Sequence, residues 1–327
     1  MEPIGPHLIS IKDLSLEQIN YVLDTAEQFS AVNKRSVKKV PSLRGKTVLN
    51  VFFEASTRTR VSFEIAAKRL SADAVNISAS GSSVSKGETL RDTALTLQAM
   101  DPDVIVVRHP ESGAPKFFAE QLDRVAVVNA GDGLHEHPTQ ALLDALTIRQ
   151  KLGKLEGLTI TLVGDVLRSR VARSNILLHK MLGNKIRIVA PPTLALNEFK
   201  KLGVEVYYDL AEGISGADIV MSLRMKKEYL GETFVPTLDE YARKYCISEK
   251  ILAEHAPNSI LLAPGPFIRG IEVDTDVIDG PRSQVNVQVN NGVAVRMAVV
   301  FLLSQSLSHR LYKDEGKDLE QEIDSAA

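Results

Sequence analysis

The sequence predicts an α/β protein with two doubly wound parallel-sheet domains and the active site in the cleft between them. Short apolar runs alternate with helical patterns along the whole chain, which is typical of parallel sheets covered by helices on both faces. The chain is also 327 residues long, more than one hydrophobic core usually holds. We expect domains over residues 1–150 and 151–291, with a C-terminal helix over 292–311 that packs back on the first domain.

The first half of the chain carries four strand patterns separated by helical patterns. A capping box that opens at Ser15 predicts the start of the first helix. Apolar runs typical of strands occupy residues 48–53, 74–77, 103–107 and 125–129. Helical patterns occupy residues 61–70, 88–100, 115–123 and 137–152, and the last of these helices is expected to link the two halves.

The second half repeats this alternation. Strand patterns occupy residues 159–163, 185–189, 204–208, 218–222 and 259–262. Helical patterns between and after them occupy residues 169–182, 237–245 and 292–311. Ligands bind at the carboxyl ends of the strands in such sheets. Polar residues that directly follow a strand are therefore the candidates for a site.

Composition excludes several classes of function. The net charge is −2, from 39 basic and 41 acidic residues, which gives no support for a nucleic-acid or membrane-surface partner. The single cysteine, Cys246, cannot form an intrachain disulfide and is consistent with a reducing cytosol. No signal peptide and no apolar stretch of about 18–20 residues is evident, so we expect a cytoplasmic protein without a membrane span.

The most informative motif is the Ser-Thr-Arg-Thr-Arg run of residues 56–60, between a strand pattern and a helical pattern. The first amides of a helix have no partner inside the helix, and the dipole is positive there, so the position favours phosphate. Arginine adds a planar fork that binds phosphate bidentately. The alternative is that Ser56 or Thr57 is an ordinary helix cap and that Arg60 is solvated.

Further polar residues of the first half follow strand ends. Arg108 lies where a phosphate or carbonyl would meet it, although a surface arginine is the alternative. His137 and Gln140 are three residues apart on one helix, so they would point the same way and share a small polar ligand. His135 with His137 suggests a metal site, but no HExxH motif or cysteine ligand accompanies them, and we expect none.

Cationic residues also mark a loop and the second half. The hydroxyl-rich loop of residues 82–88 is either a flexible linker or a mobile loop that carries Lys86 to an anionic substrate. Arginines follow two later strands, namely Arg168, Arg170, Arg173 and Arg224. No GxGxxG fingerprint accompanies them, so anionic groups are favoured over a dinucleotide. The prolines of residues 263–266 fix the backbone direction and expose carbonyls after the last strand.

Together these motifs resemble those of the aspartate/ornithine carbamoyltransferase family, in the family's order and over nearly the whole chain. The matching segments are residues 56–60, 82–88, 108–110, 137–140, 170, 224–228 and 264–266. The resemblance implies carbamoyl transfer from carbamoyl phosphate to an amino acid, with carbamoyl phosphate on the first domain and the amino acid on the second. For an aspartate enzyme this reaction is an early step of pyrimidine synthesis.

The resemblance also implies a role for each matching residue. The phosphate ligands are expected to be Ser56, Thr57, Arg58 and Thr59. The carbamoyl group is expected to contact Arg108, His137, Gln140, Thr59 and the backbone of Gly265 and Pro266. The aspartate ligands are expected to be Lys86, Arg170 and Arg224. Catalysis is expected to depend on Arg58, Thr59, Lys86, Arg108 and His137.

The implied chemistry needs no metal, organic cofactor or protein nucleophile. The amine attacks the carbamoyl carbon, and cationic groups stabilise the negative charge that grows on its oxygen. We expect the departing phosphate to take the amine proton. The loop with Ser82 and Lys86 is implied to reach a neighbouring subunit's site, so the working unit would be a homotrimer, with regulatory or dihydroorotase-like chains as possible partners.

Three alternatives to an aspartate enzyme remain open. An ornithine enzyme would usually carry Ser-Met-Gly and His-Cys-Leu-Pro motifs, which are absent, and Arg224 and Lys226 favour a second carboxylate on the substrate. A non-catalytic paralogue would be expected to lose a site residue such as Arg58 or Lys86. An NAD-dependent oxidoreductase lacks its glycine fingerprint here. Departures from the usual family residues occur at Ala55, Lys226, Ala263 and Ile268, and leave a weak or repurposed enzyme open.

Overall fold

A computed structural model describes residues 4–78, 87–225 and 237–325 of the chain. The chain forms two compact units. Unit 1 comprises Met1–Thr139 and Gly292–Ala327, and unit 2 comprises Gln140–Asn291. The chain passes from one unit to the other inside two helices, whereas the sequence places the domain boundary at the end of the first of these, near residue 150.

Unit 1 is built on a four-stranded parallel sheet in the order β2-β1-β3-β4. Its strands are β1 (Thr47–Phe52), β2 (Asp73–Ser78), β3 (Val104–His109) and β4 (Ala126–Asp132). Its helices are α1 (Leu16–Asn33), α2 (Thr57–Arg69), α3 (Leu90–Gln98) and α4 (Ala114–Gln121). The register pairs Phe52 with Arg108, so the carboxyl ends of β1 and β3 lie side by side.

One core of unit 1 lies between the sheet and helices α3 and α4. Apolar side chains of alternate positions in β1, β3 and β4 meet apolar side chains of the two helices there. The buried members are Leu49, Val51, Ala94, Leu97, Ile105, Val107, Phe118, Leu122, Val125 and Val127. Because side chains of a strand alternate between faces, this regular spacing fixes which polar residues emerge at the strand ends.

Unit 2 is built on a five-stranded parallel sheet in the order β7-β6-β5-β8-β9. Its strands are β5 (Thr159–Val163), β6 (Lys185–Val189), β7 (Glu205–Tyr207), β8 (Ile219–Ser222) and β9 (Ile260–Leu262). Helix α5 (Pro138–Leu152) begins in unit 1 and continues into unit 2. The helices that lie wholly in unit 2 are α6 (Arg170–Met181), α7 (Leu210–Ile214), α8 (Leu238–Tyr245), α9 (Glu249–His255) and α10 (Thr275–Ile278). The two sheets confirm the predicted pair of parallel-sheet α/β domains.

The last helix, α11, runs over Val285–Ser325 and so begins earlier than the predicted residue 292. By length and composition its segment Val285–Tyr312 would be able to cross a membrane, with a mean hydropathy of 1.4. However, 72% of the apolar 18-residue window within this segment is buried inside the protein. This is the burial expected of a helix whose apolar surface packs in a protein core.

Candidate active site

The 56–60 run lies at the N-terminus of α2, directly after β1. Ser56 is the N-cap residue, yet its side chain makes no hydrogen bond to the first amides of the helix. Thr57 and Arg58 are exposed, whereas Thr59 is buried. Ser56 therefore occupies the N-cap position without a side-chain bond to the helix amides, and the hydroxyls and the arginine lie at a helix end with the positive potential that attracts an anion.

Arg108 extends from the end of β3 and is only 9% exposed. Its Nη2 donates to Oε1 of Glu54 at 2.8 Å, and its Nη1 donates to the carbonyl of Ala130 at 3.3 Å. The alternative of a solvated surface arginine is therefore wrong. Glu54 was not predicted from the sequence, although it is a polar residue that follows a strand and so lies where site residues are expected.

His137 is almost fully buried and follows a loop that buried carboxylates hold in place. Asp132 accepts hydrogen bonds from the Gly113 amide at 2.7 Å and the Glu136 amide at 3.0 Å. The Glu136 carboxylate in turn accepts from the hydroxyl of Ser10 and from the Ile11 amide. The backbone that leads to His137 is thus tied to two other parts of unit 1.

His135 is oriented differently from its neighbour two residues on. Its Nδ1 lies 3.1 Å from Oδ2 of Asp132, and its side chain is partly exposed, whereas His137 is buried. Within residues 4–78, 87–225 and 237–325, no three His, Cys, Asp or Glu side chains form a group that would hold a metal ion. The Asp132 carboxylate thus gives His135 a partner within the protein.

The arginines after β5 divide into different environments. Arg168 is buried and pairs with Asp165, with Nε 2.8 Å and Nη2 2.7 Å from Oδ2. Arg170 is the first residue of α6 and is half-buried, while Arg173 is exposed one turn on. The anionic group beside Arg168 is thus a carboxylate of the protein itself, that of Asp165.

Arg224 lies two residues after β8, in a segment bonded to buried Glu272. Glu272 accepts hydrogen bonds from the amides of Met225, at 2.9 Å, and Ile268. Burial raises the pKa of Glu272, while these hydrogen bonds and the charge of Arg224 act in the opposite direction. One carboxylate thus holds both the Arg224 segment and the segment after β9. Ile268, which differs from the residue usual in the family, joins this carboxylate through its backbone amide.

The loop after β9 presents Gly265 and Pro266, which are exposed and joined by a cis peptide bond. Ala263, at the base of this loop, is buried, and its amide donates to Oε1 of Gln288 at 3.0 Å. Gln140, in the first turn of α5, donates to Oδ1 of Asp144 at 2.9 Å. Ala263, which also differs from the residue usual in the family, bonds to Gln288 through its backbone amide.

The candidate residues fall into two sets. Unit 1 holds Ser56, Thr57, Arg58, Thr59, Arg108 and His137, which lie at the carboxyl ends of strands of one parallel sheet, in the loops that follow them or in the first turn of α2. Unit 2 holds Gln140, Arg170, Arg224, Gly265 and Pro266. Ser82, Lys86 and Lys226 lie outside the described residues. Cationic strand ends and a helix N-terminus suit the first set to an anionic ligand.

Comparison with known proteins gives the class of protein that this fold and these residues define. Residues 6–150 match the family model for the aspartate/ornithine carbamoyltransferase carbamoyl-P binding domain, and residues 156–303 match that for the Asp/Orn binding domain. The chain belongs to the aspartate/ornithine carbamoyltransferase family, as the sequence motifs indicated.

Individual relatives distinguish between the aspartate and ornithine enzymes of this family. The chain is 54% identical to the aspartate carbamoyltransferase catalytic subunit of Syntrophotalea carbinolica, over 91% of this chain and 95% of the relative. Aspartate transcarbamoylase from Trypanosoma cruzi, solved with carbamoyl phosphate and aspartate, superposes with a TM-score of 0.82 at 30% identity, over 92% and 98% of the chains. Ornithine carbamoyltransferase from Pyrococcus furiosus gives 0.82 at 27% identity, over 92% and 98%. Because backbone similarity is equal for both enzymes, only sequence separates them.

Proposed function

We propose that this chain is the catalytic chain of an aspartate carbamoyltransferase. It would transfer the carbamoyl group from carbamoyl phosphate to the amine of L-aspartate and release N-carbamoyl-L-aspartate and phosphate. The observation that carries the choice of aspartate is the 54% identity to an aspartate carbamoyltransferase catalytic subunit over 91% of this chain. The equal structural similarity to an ornithine enzyme makes that sequence identity the deciding comparison.

The phosphate of carbamoyl phosphate would bind at the start of α2. Ser56, Thr57, Arg58 and Thr59 would be its ligands, through backbone amides, hydroxyls and the exposed guanidinium of Arg58. The support for this role is that Ser56 does not cap the helix with its own side chain. A phosphate at this position would satisfy helix amides and would interact favourably with the dipole.

The carbamoyl oxygen would lie against Arg108, His137 and Thr59. These side chains are buried, and a donor aimed at a growing negative charge stabilises it more strongly away from water. The salt bridge of Arg108 to Glu54 supports this role, since it fixes the direction of the guanidinium. Gln140 and the backbone of Gly265 and Pro266 would contact the rest of the carbamoyl group.

Aspartate would bind through Arg170 and Arg224, each of which follows a strand of unit 2. Two arginines match two carboxylates, and each pair would form charge-assisted hydrogen bonds. Lys86 would add a further positive charge. Holding both reactants in position removes much of the entropic barrier to attack of the amine on the carbamoyl carbon. The departing phosphate would then take the amine proton, so that no metal or organic cofactor takes part.

We also propose the assembly and setting of the enzyme. Three copies would form a homotrimer in which the loop with Ser82 and Lys86 completes a neighbour's site. The enzyme would act in the cytoplasm, early in pyrimidine synthesis, alone or with regulatory or dihydroorotase-like chains. Analytical ultracentrifugation of the full chain tests the trimer, because a monomer with full activity would contradict a shared site.

The function is tested by incubating the purified chain with carbamoyl phosphate and, in parallel, L-aspartate or L-ornithine. Ureido product from aspartate alone is expected. Product from ornithine alone would overturn the aspartate proposal within the same family. No product from either substrate, together with no binding of carbamoyl phosphate by calorimetry, would favour a non-catalytic member of the family.

A further inference from the structure

A buried polar cluster in unit 2 is centred on Asp144, which is fully buried in α5. Its Oδ1 accepts hydrogen bonds from Nε2 of Gln140 at 2.9 Å and Nε2 of Gln288 at 2.7 Å. Its Oδ2 accepts from Nδ2 of Asn175 at 3.0 Å. The three donors come from the start of α5, the start of α11 and the middle of α6. Three segments distant in the sequence therefore meet at one carboxylate.

Each of these segments leads to a residue in the proposed substrate contacts. Gln140 is itself one of them. Gln288 also accepts, through Oε1, the amide of Ala263 at 3.0 Å, at the base of the loop that presents Gly265 and Pro266. Asn175 lies on α6, the helix that begins at Arg170. The carboxylate is thus one hydrogen bond from Gln140 and two from the loop after β9.

The chemistry of the cluster fixes its geometry. A carboxylate accepts only, so each amide must turn its NH2 group toward Asp144. The carboxamide of Gln288 is held at both ends, since its oxygen accepts from Ala263 and its nitrogen donates to Asp144. Turning this carboxamide over would break both bonds and leave buried polar atoms unsatisfied, so the observed orientation of Gln288 is strongly preferred over the reverse.

We propose that Asp144 is a positioning residue that, through Gln288 and Asn175, aligns the 263–266 loop and the start of α6 with Gln140. The proposal rests on the proposed function, because it assumes that these three places contact substrates. It assigns separate effects to two hydrogen-bonded branches of the cluster, the Gln288 arm, from Asp144 through Gln288, and the Asn175 arm, from Asp144 through Asn175. The Gln288 arm acts on carbamoyl phosphate, through the 263–266 loop, and the Asn175 arm acts on aspartate, through Arg170.

A neighbouring residue supplies a matched control. Asn291 lies one turn after Gln288 on α11, and both side chains are 3% exposed. Asn291 also bonds to α5, donating to Oγ1 of Thr147 at 3.0 Å and to Oε1 of Gln150 at 2.9 Å. Neither of these partners belongs to the proposed site. Loss of Asn291 should therefore cost similar stability without altering substrate contacts.

The experiment compares Gln288→Ala, Asn175→Ala and Asn291→Ala in the full chain, with steady-state kinetics for both substrates and thermal unfolding. Gln288→Ala is expected to raise the KM for carbamoyl phosphate by roughly tenfold and to lower kcat, because a small misplacement of reacting groups is costly. Asn175→Ala is expected to raise the KM for aspartate instead. Asn291→Ala is expected to keep both kinetic constants within about twofold of the unchanged protein.

The contrast between variants decides the proposal. If Gln288→Ala and Asn291→Ala lower the melting temperature equally and have the same kinetics, Asp144 and its partners serve stability alone and the proposal is overturned. Should Gln288→Ala fail to fold, Gln288→Met preserves the volume while removing both hydrogen bonds, and the same comparison applies.

A failure of the proposed function would look different. The unchanged protein would then form no ureido product from aspartate, and both proposals would be rejected before any variant is compared. Active unchanged protein with no kinetic difference between the two arms would reject the positioning role alone.

Discussion

The two units hold their candidate residues by different means. In unit 1 the candidate residues depend mainly on main-chain groups: the Ser56 side chain makes no bond to the first amides of α2, and Asp132 accepts hydrogen bonds from the amides of Gly113 and Glu136. In unit 2 neutral side-chain amides converge on Asp144. A site built on local backbone geometry resists side-chain changes elsewhere, whereas one built on a side-chain cluster depends on residues far away in the sequence.

The largest expected effect is that of Arg58→Ala in unit 1. The variant should lower kcat/KM with carbamoyl phosphate and aspartate by more than about 10³-fold, because a phosphate ligand that acts on the leaving group is lost. Its circular dichroism spectrum should not change, since the side chain is exposed. Arg60→Ala, two residues on in the same helix, is the control and should have a much smaller effect. Activity of Arg58→Ala equal to that of the unchanged protein would contradict the phosphate site.

The second largest effect is expected from loss of the Asp132 carboxylate, which accepts hydrogen bonds from the loop before His137. Asp132→Ala removes the acceptor for the amides of Gly113 and Glu136, and should lower the free energy of unfolding by about 3 kcal/mol, because buried donors are left unsatisfied. Denaturation by urea measures it. Glu120→Ala, whose carboxylate is 58% exposed, is the control at less than about 0.5 kcal/mol. Equal midpoints for the two variants would show that backbone anchoring in unit 1 is weak.

A smaller change is expected from Arg170→Ala in unit 2. The variant should raise the KM for aspartate by about 100-fold, or roughly 2.7 kcal/mol, because one carboxylate loses its charge-assisted partner. The KM for carbamoyl phosphate should change far less. Arg173→Ala, exposed one turn further along α6, should leave both values near those of the unchanged enzyme. A larger rise in the KM for carbamoyl phosphate than in that for aspartate would contradict the assignment of aspartate to unit 2.

The smallest effect concerns pH and compares a half-buried histidine in unit 1, His7, with a fully buried one in unit 2, His179. Burial lowers the pKa of His179 in unit 2 to about 3, and burial, helped by the charge of Arg310, lowers the pKa of His7 in unit 1 to about 4. The unfolded chain takes up these protons below about pH 6.5 and the folded chain does not. Stability should therefore fall as pH drops from about 6.5, with His179 costing about 2 kcal/mol at pH 5.

His179→Gln tests that contribution, since glutamine does not titrate. The variant should lose less stability than the unchanged protein between pH 7 and pH 5, as measured by urea denaturation at each pH. His255→Gln, at a less buried position, is the matched control. An unchanged slope of stability against pH in His179→Gln would mean that His179 is not buried as a neutral side chain in unit 2.

Sequence predicted the fold closely where local pattern and tertiary environment agree. Strands β5 and β6 lie at the predicted residues, because buried parallel strands are uniformly apolar and end at polar residues. Strand β4 continues to Asp132, beyond the predicted residue 129, because a shift in register lets His109 pair with Asp132. The start of α11 was missed because Val285–Asn291 alternates apolar and polar residues without a helical stripe.

The candidate site also shows this difference between what local sequence encodes and what only the folded chain brings together. The 56–60 motif of unit 1 was evident because its chemistry comes from consecutive residues at one helix end. Glu54, Asp144 and Gln288 were missed because each is a single polar residue whose role depends on a partner elsewhere in the chain. Gln288 and Asp144, for example, are 144 positions apart. No local spacing encodes such a contact, and only the folded sheet brings the two side chains together.

The division of unit 1 into two stretches of chain has a consequence for synthesis on the ribosome. Gly292–Ala327 belongs to unit 1 but follows all of unit 2. Chains are made from the N-terminus, and domains generally fold as they emerge. The nascent protein therefore exposes the apolar surface that α11 covers until α11 itself has been made. Unit 2, continuous in sequence, can be complete before the first-made unit is.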